Sequence, residues 1–120
     1  MQNTVKKDKQ MYVGEFEELV LLAIMRLREE AYGYQILKTI EDIAGRSTSI
    51  GAIYTTLERL EEKGYITSRQ EPGTPERGGR PKRYFKLEGL GQEVLLEAEK
   101  TRRALVKSIP GALRHQPAAL

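Results

Sequence analysis

Residues 46–64 read Arg46-Ser47-Thr48-Ser49-Ile50-Gly51-Ala52-Ile53-Tyr54-Thr55-Thr56-Leu57-Glu58-Arg59-Leu60-Glu61-Glu62-Lys63-Gly64. Ser47, Thr48 and Ser49 bring hydroxyl groups suited to capping a helix N-terminus. The helix they open runs to Lys63, and Gly64 ends it. At about 100° per residue, Ile50, Ile53, Leu57 and Leu60 face inward, with Tyr54 at the edge. The opposite face carries Gly51, Ala52, Thr55, Thr56 and Arg59, which are small, hydroxyl-bearing or cationic. The acids Glu58, Glu61 and Glu62 are held back to the second half. A helix in the DNA major groove reads with its N-terminal half, which must be small enough to approach and free of acids. This helix meets both conditions. Taken alone, the same face also fits a capped, solvated helix, so the neighbouring segments must decide.

Upstream lie two further helices. The first runs from Gly14 to about Glu30. Phe16, Leu19, Val20, Ala23, Ile24 and Leu27 fall at helical spacing, and Leu21, Leu22 and Met25 fill the other face. A helix apolar nearly all round is covered on more than one side, which a chain of this size achieves most readily with a partner. Ala31-Tyr32-Gly33-Tyr34 is a break. The second helix then shows a stripe of Ile36, Leu37, Ile40, Ile43 and Ala44 and ends at Gly45, a residue at ease with positive φ. Its start (Gly33, Tyr34, Gln35) presents free backbone N–H groups and the positive end of a dipole to a phosphate.

Downstream, two extended runs, Tyr65–Glu71 and Lys82–Leu87, flank residues 72–81, which hold three Pro and three Gly. Aromatic and β-branched runs around such a loop predict a β-hairpin. From Arg69 to Lys86 there are six basic residues (Arg69, Arg77, Arg80, Lys82, Arg83, Lys86) against two acids (Glu71, Glu76). That local excess is larger than the whole chain's net +3, so positive charge is concentrated on one element, the footprint of a phosphate binder. A last helix is expected from about Leu90 to Ile109. Pro110-Gly111 stops it, and residues 111–120 read as a frayed tail. Leu95, Ala98, Leu105 and Ile109 fit one seam, too short for an independent coiled coil, so dimerisation would also use the first helix.

Composition excludes several classes. The chain has 120 residues, 39% hydrophobic and 31% charged, with no Cys and one His. One domain with a modest core is the natural count. Disulfides and thiolate sites are excluded, and His-pair zinc sites and a His-dependent triad find no residues to build them. His115 reads as a tail residue without a role. The longest apolar run, Leu19–Met25, has seven residues, against about 20 for a membrane span. The N-terminus is polar and lacks a signal-peptide core. A cytoplasmic protein with no cofactor, no metal, no catalytic residues and no membrane partner is therefore expected. Gly78-Gly79 is not a nucleotide cradle, because no strand-to-helix turn or Lys-Ser/Thr completes it. Glu15, Glu17 and Glu18 at the first helix's start complement its dipole rather than form a catalytic pair.

Helix, helix, hydroxyl-rich turn, helix and hairpin make the order of a winged helix-turn-helix. Four blocks of this chain resemble the PadR family of bacterial transcriptional regulators. They are Gly14-Glu15 opening an apolar helix, Ala31-Tyr32-Gly33-Tyr34-Gln35-Ile36, Ser49 through Gly64, and Pro75-Glu76-Arg77-Gly78-Gly79-Arg80-Pro81-Lys82-Arg83-Tyr84-Phe85. The resemblance covers about residues 14–109, with a single C-terminal helix as in the family's small form. It implies a dimeric repressor on a pseudo-palindromic operator in double-stranded DNA, joined through the C-terminal helix. It also implies, as in some members, a small-molecule effector near the dimer interface. Where the family often has a Thr-Pro-Glu-Gly turn, this chain has Glu88-Gly89-Leu90-Gly91, a weaker N-cap, and it has no Trp for an aromatic drug pocket.

The expected fold is mainly α with a small β-hairpin. Residues 1–13 are expected to be a flexible basic arm, 14–88 a winged helix-turn-helix, 89–110 a dimerisation helix and 111–120 a flexible tail. The candidate DNA contacts are Tyr34, Lys38, Ser49, Gly51, Ala52, Tyr54, Thr55, Arg59, Arg77, Gly79, Arg80 and Lys82. Tyr54 stands between core packing and a phosphate bond, and Arg59 between DNA and surface pairing with Glu58 or Glu62. The candidate dimerisation residues are Phe16, Val20, Val94, Leu95, Ala98, Leu105 and Ile109. A winged-helix module that contacts another protein is the alternative, and the salt dependence of binding separates the two.

Overall fold

The computed structural model describes residues 12–114; the rest of the N-terminal arm and the tail beyond, His115 included, lie outside the described residues. In chain order the elements are α1 (Glu15–Leu27), α2 (Gly33–Ala44), α3 (Ile50–Glu62), β1 (Ile66–Glu71), β2 (Lys82–Leu87), α4 (Gly89–Ser108) and a one-turn α5 (Gly111–Arg114). Short 3-10 turns sit at Arg28–Glu30 and Pro75–Arg77. The strands pair antiparallel, with Ile66 opposite Leu87 and Glu71 opposite Lys82.

One core joins α1 to α4 and the hairpin. Val20, Leu21 and Ile24 of α1, Ile36 and Ile40 of α2, Ile53, Leu57 and Leu60 of α3, and Tyr65, Ile66 and Phe85 of the hairpin are buried together with Val94 and Leu95 of α4. Each such side chain contributes about 1.5–3 kcal/mol of burial. Three of the seven residues expected at a dimer seam are thus placed otherwise. Val20 and Val94 are fully enclosed and Leu95 nearly so, because the protomer's own α1, α3 and α4 close over them.

Local signals are met at their stated places. Gly45 closes α2 in the left-handed conformation. Arg28, at φ 55°, is the one non-glycine residue with positive φ among the described residues; there α1 gives way to the 3-10 turn that leads to Ala31. Two positions of α3 depart from expectation. Thr56 is buried, and Ile50 is 43% exposed, because Ile50 opens the helix beyond the edge of the core while Thr56 turns in beside Leu57. Residues 111–114, expected to fray, form the short α5. The Pro- and Gly-rich loop contains a 3-10 turn rather than no structure at all.

The root of α4 is fixed without a side-chain cap at Glu88. The Glu88 N–H donates to the Tyr65 carbonyl (2.9 Å), and Glu88 Oε2 accepts from Thr67 Oγ1 (2.8 Å). Gly91 lies so close to the Tyr65 carbonyl that no larger residue fits there. From residue 99 to 113 every side chain is exposed, so the far half of α4 stands off the body. Arg102 ties it back to Glu18 of α1 at 3.2 Å. Among the described residues no helix is long and apolar enough to cross a membrane.

Candidate nucleic-acid interface

The Ser49 hydroxyl accepts from the Ala52 N–H at 3.1 Å, so the cap read from the sequence forms. Ser49, Gly51, Ala52, Tyr54, Thr55, Glu58 and Arg59 are all exposed. The first two turns of α3 therefore present small, hydroxyl and aromatic groups with no acid among them.

The start of α2 adjoins this surface. Its N-cap residue, Tyr32, makes no side-chain cap bond. Tyr54 leans against this helix end. A Cβ at Gly33 would meet the Tyr54 hydroxyl at 2.5 Å, so only glycine lets the ring lie there. The Tyr54 ring packs on Gly33, and the residue is still 41% exposed. Tyr34 is exposed on the next position, and Lys38, one turn on, pairs loosely with Asp42 at 3.8 Å.

The wing is tied to the body by a short third strand-like segment. The Phe85 N–H donates to the Ala31 carbonyl at 2.8 Å, and Tyr32 bridges Tyr84. Their rings meet edge to face at 5.5 Å. Lys82 Nζ lies 4.0 Å from the Tyr32 ring centre, and the Arg69 guanidinium 4.7 Å from that of Tyr84. Cations and rings alternate across the hairpin, each such contact adding about 0.5–1 kcal/mol at an exposed site. At the tip, the Gly78 N–H donates to Pro75 and the Gly79 N–H to Thr74, with both glycines at positive φ. The backbone of Arg77 belongs to this turn; its side chain lies outside the described set. Gly79 and Arg80 are exposed at the tip.

The local positive excess is partly used within the fold. Arg83 reaches Glu61 (3.3 Å) and Ser68 (3.0 Å), and Arg69 pairs with Glu71. Arg59 pairs with neither Glu58 nor Glu62 but crosses to Glu17, 3.7 Å away. Glu17 also accepts from Lys63 Nζ (3.0 Å) and the Gly14 N–H (2.8 Å). Burial pushes this carboxyl's pKa up, but the Gly14 N–H, Lys63 and Arg59 outweigh it and hold it below 4.5. Burial, with the Glu17 charge nearby, pushes the Tyr65 phenol up.

Sequence reasoning gave Glu17 a dipole role and missed its pairing with Lys63 and Arg59, as it missed that of Tyr32 with Lys82, since these contacts join residues far apart along the chain. Of the remaining dimer candidates, Phe16 and Ala98 are half-buried, and Leu105 and Ile109 are 64% and 39% exposed.

Residues 21–97 match the model of the Transcriptional regulator PadR-like family. A transcriptional regulator of Escherichia coli K12, YqjI, is 41% identical over 68 residues, covering 54% of this chain and 32% of that protein. The chain thus spans about a third of that relative's length. A PadR family transcriptional regulator from Eggerthella lenta is 31% identical, with a TM-score of 0.63 over 82% of this chain and 83% of that one. Bacillus subtilis PadR, solved in complex with operator DNA, is 23% identical, with a TM-score of 0.58 over 86% of this chain and 49% of that one, a likeness of fold. With the family model matched across most of the winged helix and the root of α4, this winged-helix chain belongs to the PadR-like family of transcriptional regulators.

Proposed function

We propose that the chain binds double-stranded DNA sequence-specifically as a two-fold homodimer and represses transcription from a pseudo-palindromic operator. The observation that carries this reading is the acid-free, exposed tip of α3 beside the wing, with Ser49, Gly51, Ala52 and Thr55 open to solvent. Thr and Ala methyls meet thymine methyls, and hydroxyls bond to either base edge. Tyr34, Tyr54 and the α2 N-terminus hold phosphates, with Lys38, Arg80 and Lys82 supplying charge. Arg77 and Gly79 complete the wing's contact. Phosphate contacts fix register, while base contacts select sequence.

The dimer is supported by the far half of α4 and the turn beyond it, where Leu105, Val106, Ile109 and Leu113 are exposed, with no cover from the protomer among the described residues. Leu22 and Met25 of α1 and Leu96 of α4 continue the apolar surface toward the body. Phe16 and Ala98 lie at its margin. Two-fold pairing there sets the two α3 helices in successive major grooves, roughly 34–36 Å apart. A groove of about 590 Å³ between the end of α1, the hairpin and the start of α4, lined by Met25, Arg28, Arg69, Tyr84 and Gln92, is the place for a small-molecule effector.

Selection of bound fragments from random duplex DNA tests the reading, with a symmetric pair of half-sites about one helical turn apart expected. No enrichment of any sequence, with no retention of DNA at low salt, overturns it in favour of a protein partner. Within the same assay, Arg80→Ala is expected to weaken binding to all sequences and flatten the log–log salt slope by roughly one.

A further inference from the structure

We propose that Glu17 is a specificity-determining residue: it holds Arg59 and Lys63 against the body and so keeps two cations of the reading helix off duplex phosphate. The proposal rests on the DNA-binding reading above. Gly51, Thr55, Arg59 and Lys63 succeed one another at intervals of four along α3 and its C-cap, so they form one stripe. The stripe begins with the groups that read bases and ends with two positive charges. Phosphates are the same at every sequence, so two free cations there would add affinity with no discrimination.

The geometry of the clamp is set from the other side. Glu17 Oε1 accepts the Gly14 N–H at 2.8 Å, which fixes the carboxylate to the start of α1. Oε2 faces Lys63 Nζ at 3.0 Å and the Arg59 guanidinium at 3.7 Å. The Glu17 side chain is only 9% exposed, whereas those of Arg59 and Lys63 are 50% and 36% exposed. Drawing either cation out toward DNA would strip charge from a carboxylate that water scarcely reaches, and an uncompensated buried charge is costly. Glu61, another acid in this part of the helix, is engaged by Arg83 and Ser68, so it does not substitute for Glu17.

The test measures salt slopes on a random-sequence duplex and on the selected site, with the full chain. In the wild-type background, Arg59→Ala is expected to leave the slope unchanged. Glu17→Gln keeps an acceptor for Gly14 but drops the charge, and it is expected to steepen the slope by roughly 0.9 per cation released. Arg59→Ala placed on top of Glu17→Gln then takes about 0.9 back. The ratio of selected-site to random-duplex affinity falls in Glu17→Gln. The proposal is overturned if Arg59→Ala alone flattens the wild-type slope by about 0.9, or if folded Glu17→Gln keeps the wild-type slope. Should Glu17→Gln fail to fold, Glu17→Asp, which withdraws the carboxylate by one methylene, takes its place with the same expected direction and the same overturning result. Failure of the wild-type chain to bind either duplex would instead count against the DNA-binding reading itself.

Discussion

A methyl group on residue 91 would lie 2.8 Å from Leu87 Cδ1 and closer still to the Tyr65 carbonyl. A backbone carbonyl cannot swing away as a side-chain end can. Gly91→Ala is therefore expected to destabilise the fold by about 1–3 kcal/mol, read as a lower denaturant midpoint. Glu17 makes a second prediction at this scale. Its folded pKa lies below the ordinary 4.5, so its contribution to stability is complete above that pH and is lost as pH falls through the folded value. The stability gap between wild type and Glu17→Gln should be flat near neutrality and should narrow in acid below pH 4.5. A gap that widens on acidification would contradict this assignment of charge.

At the scale of elements, the cap of α3 carries the most testable consequence. Ser49→Ala removes an acceptor for the Ala52 N–H and is expected to cost about 0.5–2 kcal/mol, measured by thermal unfolding. Such local chemistry is what made this part of the fold legible in the sequence. A serine before a helix, a glycine after one, and an aromatic run set off by Pro81 each act on the residues beside them. The same holds for β2, whose bounds follow from Lys82–Leu87 alone. Contacts across the fold were not legible in this way. Glu17 meets Lys63 across 46 positions, and no periodicity of either helix announces it. The apolar surround of α1 was visible, but not which side the protomer itself covers. Hence Val20, Val94 and Leu95 read as partner-facing when they are core, while Leu105 and Ile109 are exposed.

At the scale of the whole molecule, the exposed far half of α4 makes assembly separable from folding. Leu105 is 64% exposed, so Leu105→Asp is expected to leave the unfolding midpoint of the protomer nearly unchanged while converting dimer to monomer in sedimentation. A stable dimer in that variant would move the two-fold contact elsewhere. The firm seating of Gly91 and Val94 has a mechanical meaning as well. It makes the remainder of α4 a cantilever rooted in one body, to be gripped at its tip by another in the proposed dimer. At 1.5 Å per residue the arm beyond Leu95 is about 20 Å long. A tilt of about 10° at the root therefore carries the tip by roughly 3.4 Å, the rise of a single base pair. In the proposed DNA complex, small adjustments where the arm is anchored would be amplified into whole steps along the double helix.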